Sequence, residues 1–231
     1  MVLLMKKNFF AERRKRLVEQ LKHEGAIFSK KVEKAFLAVP REKYVPERLA
    51  EEAYIDAPLP TLEGQTISAP HMCAIMCEAL DLNEGDKLLE IGTGSGYHSS
   101  LCAEIIFPEK KIGRGLIVSV EIFKSLSLYA KKNLQKASYT ALVNLVVADG
   151  SSNLPFRTKF NKILVTAAAK EIPEHLIELL EPGGRMVVPV GKYFQDLKLI
   201  VKNRYGEIYV KSLGGCLFVP LRGLKGQQDD S

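Results

Sequence analysis

The stretch Glu90-Ile91-Gly92-Thr93-Gly94-Ser95-Gly96 decides how the rest of the chain is read. It closes a short apolar run, Lys87-Leu88-Leu89-Glu90-Ile91, and precedes a helical pattern over residues 97–107. A strand ending in a glycine-rich turn that opens a helix is built for a ligand, because glycine permits positive φ and lets a ligand approach the backbone. A dinucleotide fingerprint, G-x-G-x-x-G, would put its third glycine at position 97. Position 97 is Tyr97, and the third glycine is Gly96. No Lys-Ser/Thr pair follows, so the turn is not a P-loop. Glu90 sets a carboxylate at the mouth of the strand, where a pyrophosphate would sit. That charge repels phosphate and suits a cationic ligand.

Working outward, the same texture repeats. Leu116–Glu121 reads as a second strand, followed by a helix over 123–137. Third and fourth strands are expected at 143–148 and 162–166. A helix over 173–180 leads through Gly183-Gly184 to a fifth strand at 185–190. This alternation is the signature of a doubly wound parallel sheet. Residues 196–202 and 207–211 read as a hairpin about Tyr205-Gly206, followed by 216–221, which puts antiparallel pairing at one edge. Upstream, residues 9–24 read as a helix with Phe10, Leu17 and Leu21 on one apolar face. Ser29 N-caps a second helix that stops at Pro40. Pro40, Pro46, Pro58 and Pro60 demand loop, and another helix starts near Pro70 and runs through Leu80. The expected fold class is α/β: a doubly wound, mostly parallel seven-stranded, Rossmann-like sheet with an N-terminal helical extension and an antiparallel C-terminal edge. The helical and proline-rich segment is 1–60 and the sheet domain 61–231, the two forming one compact unit; residues 226–231 are expected to fray.

Two further carboxylates end successive strands, Glu121 the second and Asp149, followed by Gly150, the third. Ligands of open α/β sheets bind at the carboxyl ends of the strands. There Glu121 can accept from both hydroxyls of a ribose, and Asp149 from an adenine amino group. The alternative for each is a helix N-cap or turn residue. Gly92 and Glu121 are 29 positions apart, against the usual roughly 20, and the excess fits a loop insertion at 108–115. With both acids, the pattern E-x-G-x-G-x-G resembles the S-adenosylmethionine-dependent methyltransferases. Their cofactor has no phosphate and carries a sulfonium cation, an ammonium and a ribose diol. The resemblance implies that Glu90, Gly92, Thr93, Gly94, Ser95, Gly96, Glu121, Ile122, Asp149 and Gly150 bind S-adenosylmethionine, leaving S-adenosylhomocysteine as product.

The methyl acceptor is suggested by stretches before and after this core. They are Gly64-Gln65-Thr66-Ile67-Ser68-Ala69-Pro70-His71-Met72, Val39-Pro40-Arg41-Glu42-Lys43-Tyr44-Val45-Pro46, Tyr54-Ile55-Asp56-Ala57-Pro58-Leu59-Pro60, Val165-Thr166-Ala167-Ala168-Ala169, Pro182-Gly183-Gly184-Arg185, Val188-Pro189-Val190-Gly191 and Phe218-Val219-Pro220-Leu221. Together they resemble the protein-L-isoaspartate O-methyltransferase family, from about residue 15 to about 224. The resemblance implies methylation of the free carboxylate of L-isoaspartyl residues in damaged proteins and peptides, whose ester then cyclises unaided to a succinimide. It implies that Ser68 is the active-site serine. It sets the loop at 66–72 between cofactor and substrate, with Thr66, Ala69, Pro70 and His71 on the cofactor side, and has 218–222 close over the site. An isoaspartyl carboxylate, of pKa near ~4, is ionised at neutral pH and needs no general base. Ser68 is then an orienting donor, and no His–acid pattern marks it as a hydrolytic nucleophile. Its other reading is an N-cap for the helix at Pro70. His71 can touch the substrate carboxylate or be a satisfied residue at a helix start. Asp56 reads as a turn-stabilising aspartate, Tyr97 lines the pocket or packs, and His98 is given no role.

Composition sets the outer bounds. With 231 residues, 46% hydrophobic and 26% charged, the chain is an ordinary globular one. The net charge of +6 is local: residues 1–50 hold 13 Lys+Arg against 6 Asp+Glu, and the remainder is nearly neutral. The run Arg13-Arg14-Lys15-Arg16 is a nucleic-acid patch or a solvated helix face, with the second preferred. A nucleic-acid methyltransferase would want a D/N-P-P-Y/F tetrapeptide after the fourth strand, where this chain has Val165-Thr166-Ala167-Ala168. A non-catalytic adaptor that keeps the cofactor fold is the other alternative. Cys73 and Cys77 form a C-x3-C pair with no second pair recognised at metal-ligand spacing, so no metal is expected, and with Cys102 and Cys216 they read as reduced thiols. The apolar start is too short for a signal h-region and no stretch reaches roughly 18 apolar residues. A cytoplasmic protein with neither membrane nor nucleic-acid partner is expected; oligomeric state is left open.

Overall fold

The computed structural model describes residues 2–227; most of the tail expected to fray lies outside them. Seven strands form one sheet: β1 (Lys87–Ile91), β2 (Leu116–Glu121), β3 (Asn144–Val147), β4 (Phe160–Val165), β5 (Leu180–Val190), β6 (Gln195–Lys202) and β7 (Ile208–Cys216). Their order is β3-β2-β1-β4-β5-β6-β7. The first five pair in parallel, and β6 and β7 add antiparallel. This is the expected architecture. β1 lies inside the sheet between β2 and β4, covered on both faces, so it is a continuous apolar run rather than an alternating one. The strand order reverses between β1 and β4, which opens a crevice at their carboxyl ends.

Successive residues of each strand point to opposite faces and join separate cores. Leu88, Ile117, Leu164 and Val187 belong to one cluster with residues of α1 (Val2–His23), α2 (Lys30–Ala38), α3 (Pro70–Leu80), α4 (Tyr97–Ile106) and α5 (Lys124–Ala137). Leu89, Val118, Ile163 and Met186 belong to the other, with Leu176 of α6 (Glu174–Leu179). α1 starts at Val2, more than a turn ahead of residue 9, and buries Leu17, Val18 and Leu21. The hydroxyl of Ser29 accepts from the Val32 N–H at 3.3 Å, capping α2 as expected. α3 has the bounds that Pro70 and Leu80 predict, because proline at the first position has no N–H to leave unpaired.

The insertion at 108–115 turns once at Pro108–Lys110 and leaves the register intact, with Lys87 opposite Leu116. The expected strand at 216–221 does not form. β7 ends at Cys216, and the chain then crosses over the carboxyl ends of the sheet with a single parallel bridge, Ala168 to Pro220. Pro220 offers no N–H to a ladder. The Ala168 N–H instead donates to Val219 O, and the Leu221 N–H to Ala168 O, both at 2.8 Å. This crossing brings 219–222 over the crevice.

Candidate active site

The crevice encloses about 750 Å³ including its open mouth, and its wall is made by the glycine turn, the ends of β2 and β4, the 65–68 loop and the crossing at 219–222. Of the turn, Gly92, Thr93, Gly94 and Ser95 line it. Gly92 has φ +94°, and a Cβ there would meet Thr166 Oγ1 at 2.5 Å, so only glycine fits. Gly94 has φ +55° and open space where its Cβ would stand. Gly96 is not on the wall: it is the N-cap of α4, in contact range of Leu134 and Ala130 of α5.

Glu121 lines the crevice and is 5% exposed. Its Oε2 accepts from the Gly94 N–H at 2.9 Å and its Oε1 from the Phe123 N–H at 3.1 Å. Each oxygen keeps a second acceptor direction, so the carboxylate is fixed in place and still able to bind a diol. Ile122 and Gly150 also line the crevice, and Ile122 leaves its apolar side chain accessible. An open Gly94, a held carboxylate and an exposed apolar shelf fit a nucleoside cofactor without phosphate.

Two carboxylates sit differently from the expectation. Glu90 is fully buried beneath the turn and away from the wall; its Oε2 accepts from the Ser99 and Ser119 hydroxyls, and its Oε1 has no partner among the described residues. Burial pushes its pKa above the ordinary carboxylate value. It supports the turn from behind rather than meeting a ligand directly. Asp149 is also off the wall. Its Oδ1 accepts from the Ser151 N–H at 2.8 Å and hydroxyl at 2.6 Å, and its Oδ2 from the Leu224 N–H at 2.7 Å. It ties down the segment that crosses the crevice, and its Oδ2, with one donor, keeps a second acceptor direction.

In the loop before α3, Thr66 and Ser68 line the crevice, whereas Ala69, Pro70 and His71 open the helix and do not. Ala69, not Ser68, is the N-cap. The Ser68 hydroxyl has no hydrogen-bond partner among the described residues, while its carbonyl accepts from Arg41 Nη2 at 2.9 Å. Arg41 is fully buried, lies over the Tyr97 ring at 4.9 Å and also donates through Nε to Ala53 O at 2.9 Å. Asp56 does not hold a turn of its own. Its Oδ1 accepts from the His71 N–H at 2.8 Å, at the N-terminus of α3, and its Oδ2 pairs with His71 Nδ1 at 2.9 Å. That makes His71 a satisfied helix-start residue.

Three contributors were given no role from sequence. Thr166 donates to Gly92 O at 2.5 Å and braces the turn from β4; its place at the end of the strand next to β1 is the signal that could have found it. Arg41 works through carbonyls far from it in the chain, which no local pattern reveals. His98 lines the wall with Tyr97, which also packs against Tyr44 and Phe36.

Residues 12–226 match the family model for protein-L-isoaspartate(D-aspartate) O-methyltransferase. A protein-L-isoaspartate O-methyltransferase of Methanopyrus kandleri is 48% identical over 221 residues, covering 95% of this chain and 96% of that one. One of Hyperthermus butylicus is 46% identical, covering 96% and 93%. Among solved structures, a putative protein-L-isoaspartate O-methyltransferase of Plasmodium falciparum in complex with S-adenosyl-L-homocysteine superposes with a TM-score of 0.81 at 29% identity, covering 90% of this chain and 98% of that one.

Proposed function

The chain belongs to the protein-L-isoaspartate O-methyltransferase family, and we propose that the crevice at the ends of β1 and β2 is where it carries out that family's reaction. The enzyme transfers a methyl group from S-adenosylmethionine to the free carboxylate of L-isoaspartyl residues in proteins. When bound, S-adenosylmethionine supplies an electrophilic methyl group on its sulfonium.

The roles of individual residues follow from the geometry. Glu121, held by the Gly94 and Phe123 N–H groups, accepts from the ribose hydroxyls. Thr93, Gly94 and Ser95 line the crevice beside it and flank the cofactor. Ser68 orients the isoaspartyl carboxylate by donating its hydroxyl. Among the described residues no histidine or acid contacts that hydroxyl to activate it as a nucleophile, and an ionised carboxylate requires no base. Alignment of the two reactants and exclusion of water then supply the rate, and well-oriented reactants gain up to roughly 7–11 kcal/mol. Arg41 holds the Ser68 loop, and Asp149 holds the crossing over the crevice. The observation that carries this reading is the free Ser68 hydroxyl on the same wall as the Glu121 carboxylate.

The substrate is an isoaspartyl protein or peptide and not a nucleic acid. In support, the two arginines that start the basic run are already engaged within the chain: the exposed Arg13 donates to Glu51 O at 2.8 Å, and the half-buried Arg14 to Tyr54 Oη at 2.8 Å and Leu37 O at 2.9 Å. Segments 1–60 and 61–231 act as one unit, supported by Leu17 and Leu21 sharing a core with Leu80 and Leu101. No described helix is long and apolar enough to cross a membrane. Four free cysteines suit a reducing cytoplasm. The test is labelled S-adenosylmethionine offered with an isoaspartyl peptide, its aspartyl twin and RNA. Base-labile label in the first alone is expected; label in the RNA, or equal label in both peptides, would overturn the reading.

A further inference from the structure

Beneath the crevice lies a buried group of sulfur and nitrogen ligands that the methyl transfer does not use. Cys73 and Cys77 are four apart on α3, and His98 and Cys102 are four apart on α4. Residues four apart share a helix face, so C-x3-C on one helix meets H-x3-C on the other. Cys77 Sγ lies 3.4 Å from His98 Nε2, and the ligand atoms of Cys77, His98 and Cys102 all fall within 4.8 Å of one another. Both cysteines are fully buried and His98 is 6% exposed.

We propose that Cys77, Cys102 and His98 form a binding site for zinc(II). Metal–ligand lengths of about 2.3 Å to sulfur and about 2.0–2.1 Å to nitrogen put tetrahedral S···N neighbours about 3.6 Å apart. The Cys77–His98 separation is already near that value. Charge points the same way, since two thiolates, a neutral imidazole and a divalent ion sum to zero, and an apolar interior tolerates nothing else well. Thiolate and imidazole donors are those that zinc takes.

A second observation separates this cluster from ordinary buried thiols. An imidazole is an expensive group to enclose among sulfurs, and His98 Nδ1 is buried without a partner among the described residues. The Oε1 of Glu90 is likewise buried and unpartnered among the described residues. Three protein ligands leave one coordination position, and the crevice, which Cys73 and His98 both line, adjoins the group.

The test uses the full chain, reduced and stripped with chelator, then titrated with cobalt(II) as a spectroscopic stand-in and with zinc(II). One cobalt per chain is expected, with tetrahedral d–d bands and thiolate-to-cobalt charge transfer that zinc displaces. Cys77→Ala and Cys102→Ala should each weaken binding at least tenfold, with Cys216→Ala within twofold of wild type. Because a core variant can fail to fold, the wild-type titration stands by itself: no charge-transfer band at saturating cobalt overturns the site. Equal weakening by Cys216→Ala overturns the ligand assignment.

Discussion

Replacing Arg41 with methionine tests whether the Ser68 loop is positioned from a distance. The guanidinium is fully buried and makes two short hydrogen bonds, to Ala53 O and Ser68 O at 2.9 Å, and a longer one to Ala57 O at 3.4 Å. Hydrogen bonds from a charged donor contribute about 1.5–3 kcal/mol each, so the short pair represents about 3–6 kcal/mol. Removing a buried charge recovers part of its desolvation cost, and methionine keeps a contact with the Tyr97 ring. The net loss should be about 2–4 kcal/mol, or roughly 4–16 °C in Tm for a domain of this size. The kinetic consequence is separable. The glycine turn and Glu121 do not touch Arg41, so affinity for S-adenosylhomocysteine should stay within about threefold while kcat on an isoaspartyl peptide falls at least tenfold, by analogy with other misplaced first contacts. Arg41→Lys can reach only part of the carbonyl set and should be intermediate in both. Thermal melts, calorimetry and steady-state rates on the three proteins decide the matter. A Tm within 2 °C of wild type together with unchanged kcat would refute the assignment of Arg41 as the anchor of the loop.

Ser68→Ala removes a hydroxyl with no partner among the described residues, so stability should change by no more than about 0.5 kcal/mol, while the lost hydrogen bond to a charged substrate lowers kcat by roughly 10–100-fold; wild-type turnover would end its role. Glu121→Ala removes the diol acceptor along with the partner of the Gly94 N–H, and calorimetry should show S-adenosylhomocysteine bound roughly 10–100-fold more weakly. Gly92→Ala has to displace Thr166 Oγ1 from 2.5 Å and keep φ at +94°, so it should bind cofactor poorly even where Gly94→Ala, with open space at its Cβ, still folds; melting both variants with and without cofactor checks this. For Asp149, burial alone would raise the pKa, but hydrogen bonds from Leu224 and Ser151 outweigh it and hold the group below the usual carboxylate value. A depressed folded-state pKa adds stability above the unfolded value near ~3.9, and that stability is lost as pH falls through the folded value. The Tm advantage of wild type over Asp149→Asn should therefore be full at pH 6 and shrink below about pH 4; a gap that stays constant down to pH 2 would contradict it.

Which of these roles could be read from sequence depends on where each residue finds its partner. The core strands were legible because a parallel strand buried on both faces is a continuous apolar run punctuated by glycine, and β1 and β2 have the predicted bounds. α3 was legible because Pro70 sets its start. Glu121 could be placed for a similar reason: the groups that hold it, Gly94 and Phe123, belong to the turn and to its own strand end. Asp149 stands at the end of β3 just as Glu121 stands at the end of β2, and sequence treats the two alike. They differ because the Leu224 N–H, 75 residues further on, arrives at Asp149 by way of a crossing that sequence read as a strand. Arg41 follows the same rule, since its partners at positions 53, 57 and 68 meet it only once the proline-rich loop has folded. So does the sulfur cluster. C-x3-C was visible on α3, but no second Cys/His pair was recognised, although His98 and Cys102 form H-x3-C on the neighbouring helix. In each case the residue type announced a need for a partner, a carboxylate for donors, a buried guanidinium for carbonyls, thiols for a further ligand. The identity of that partner was fixed by packing between distant segments, and this is why the chemistry of the crevice was readable while its supports were not.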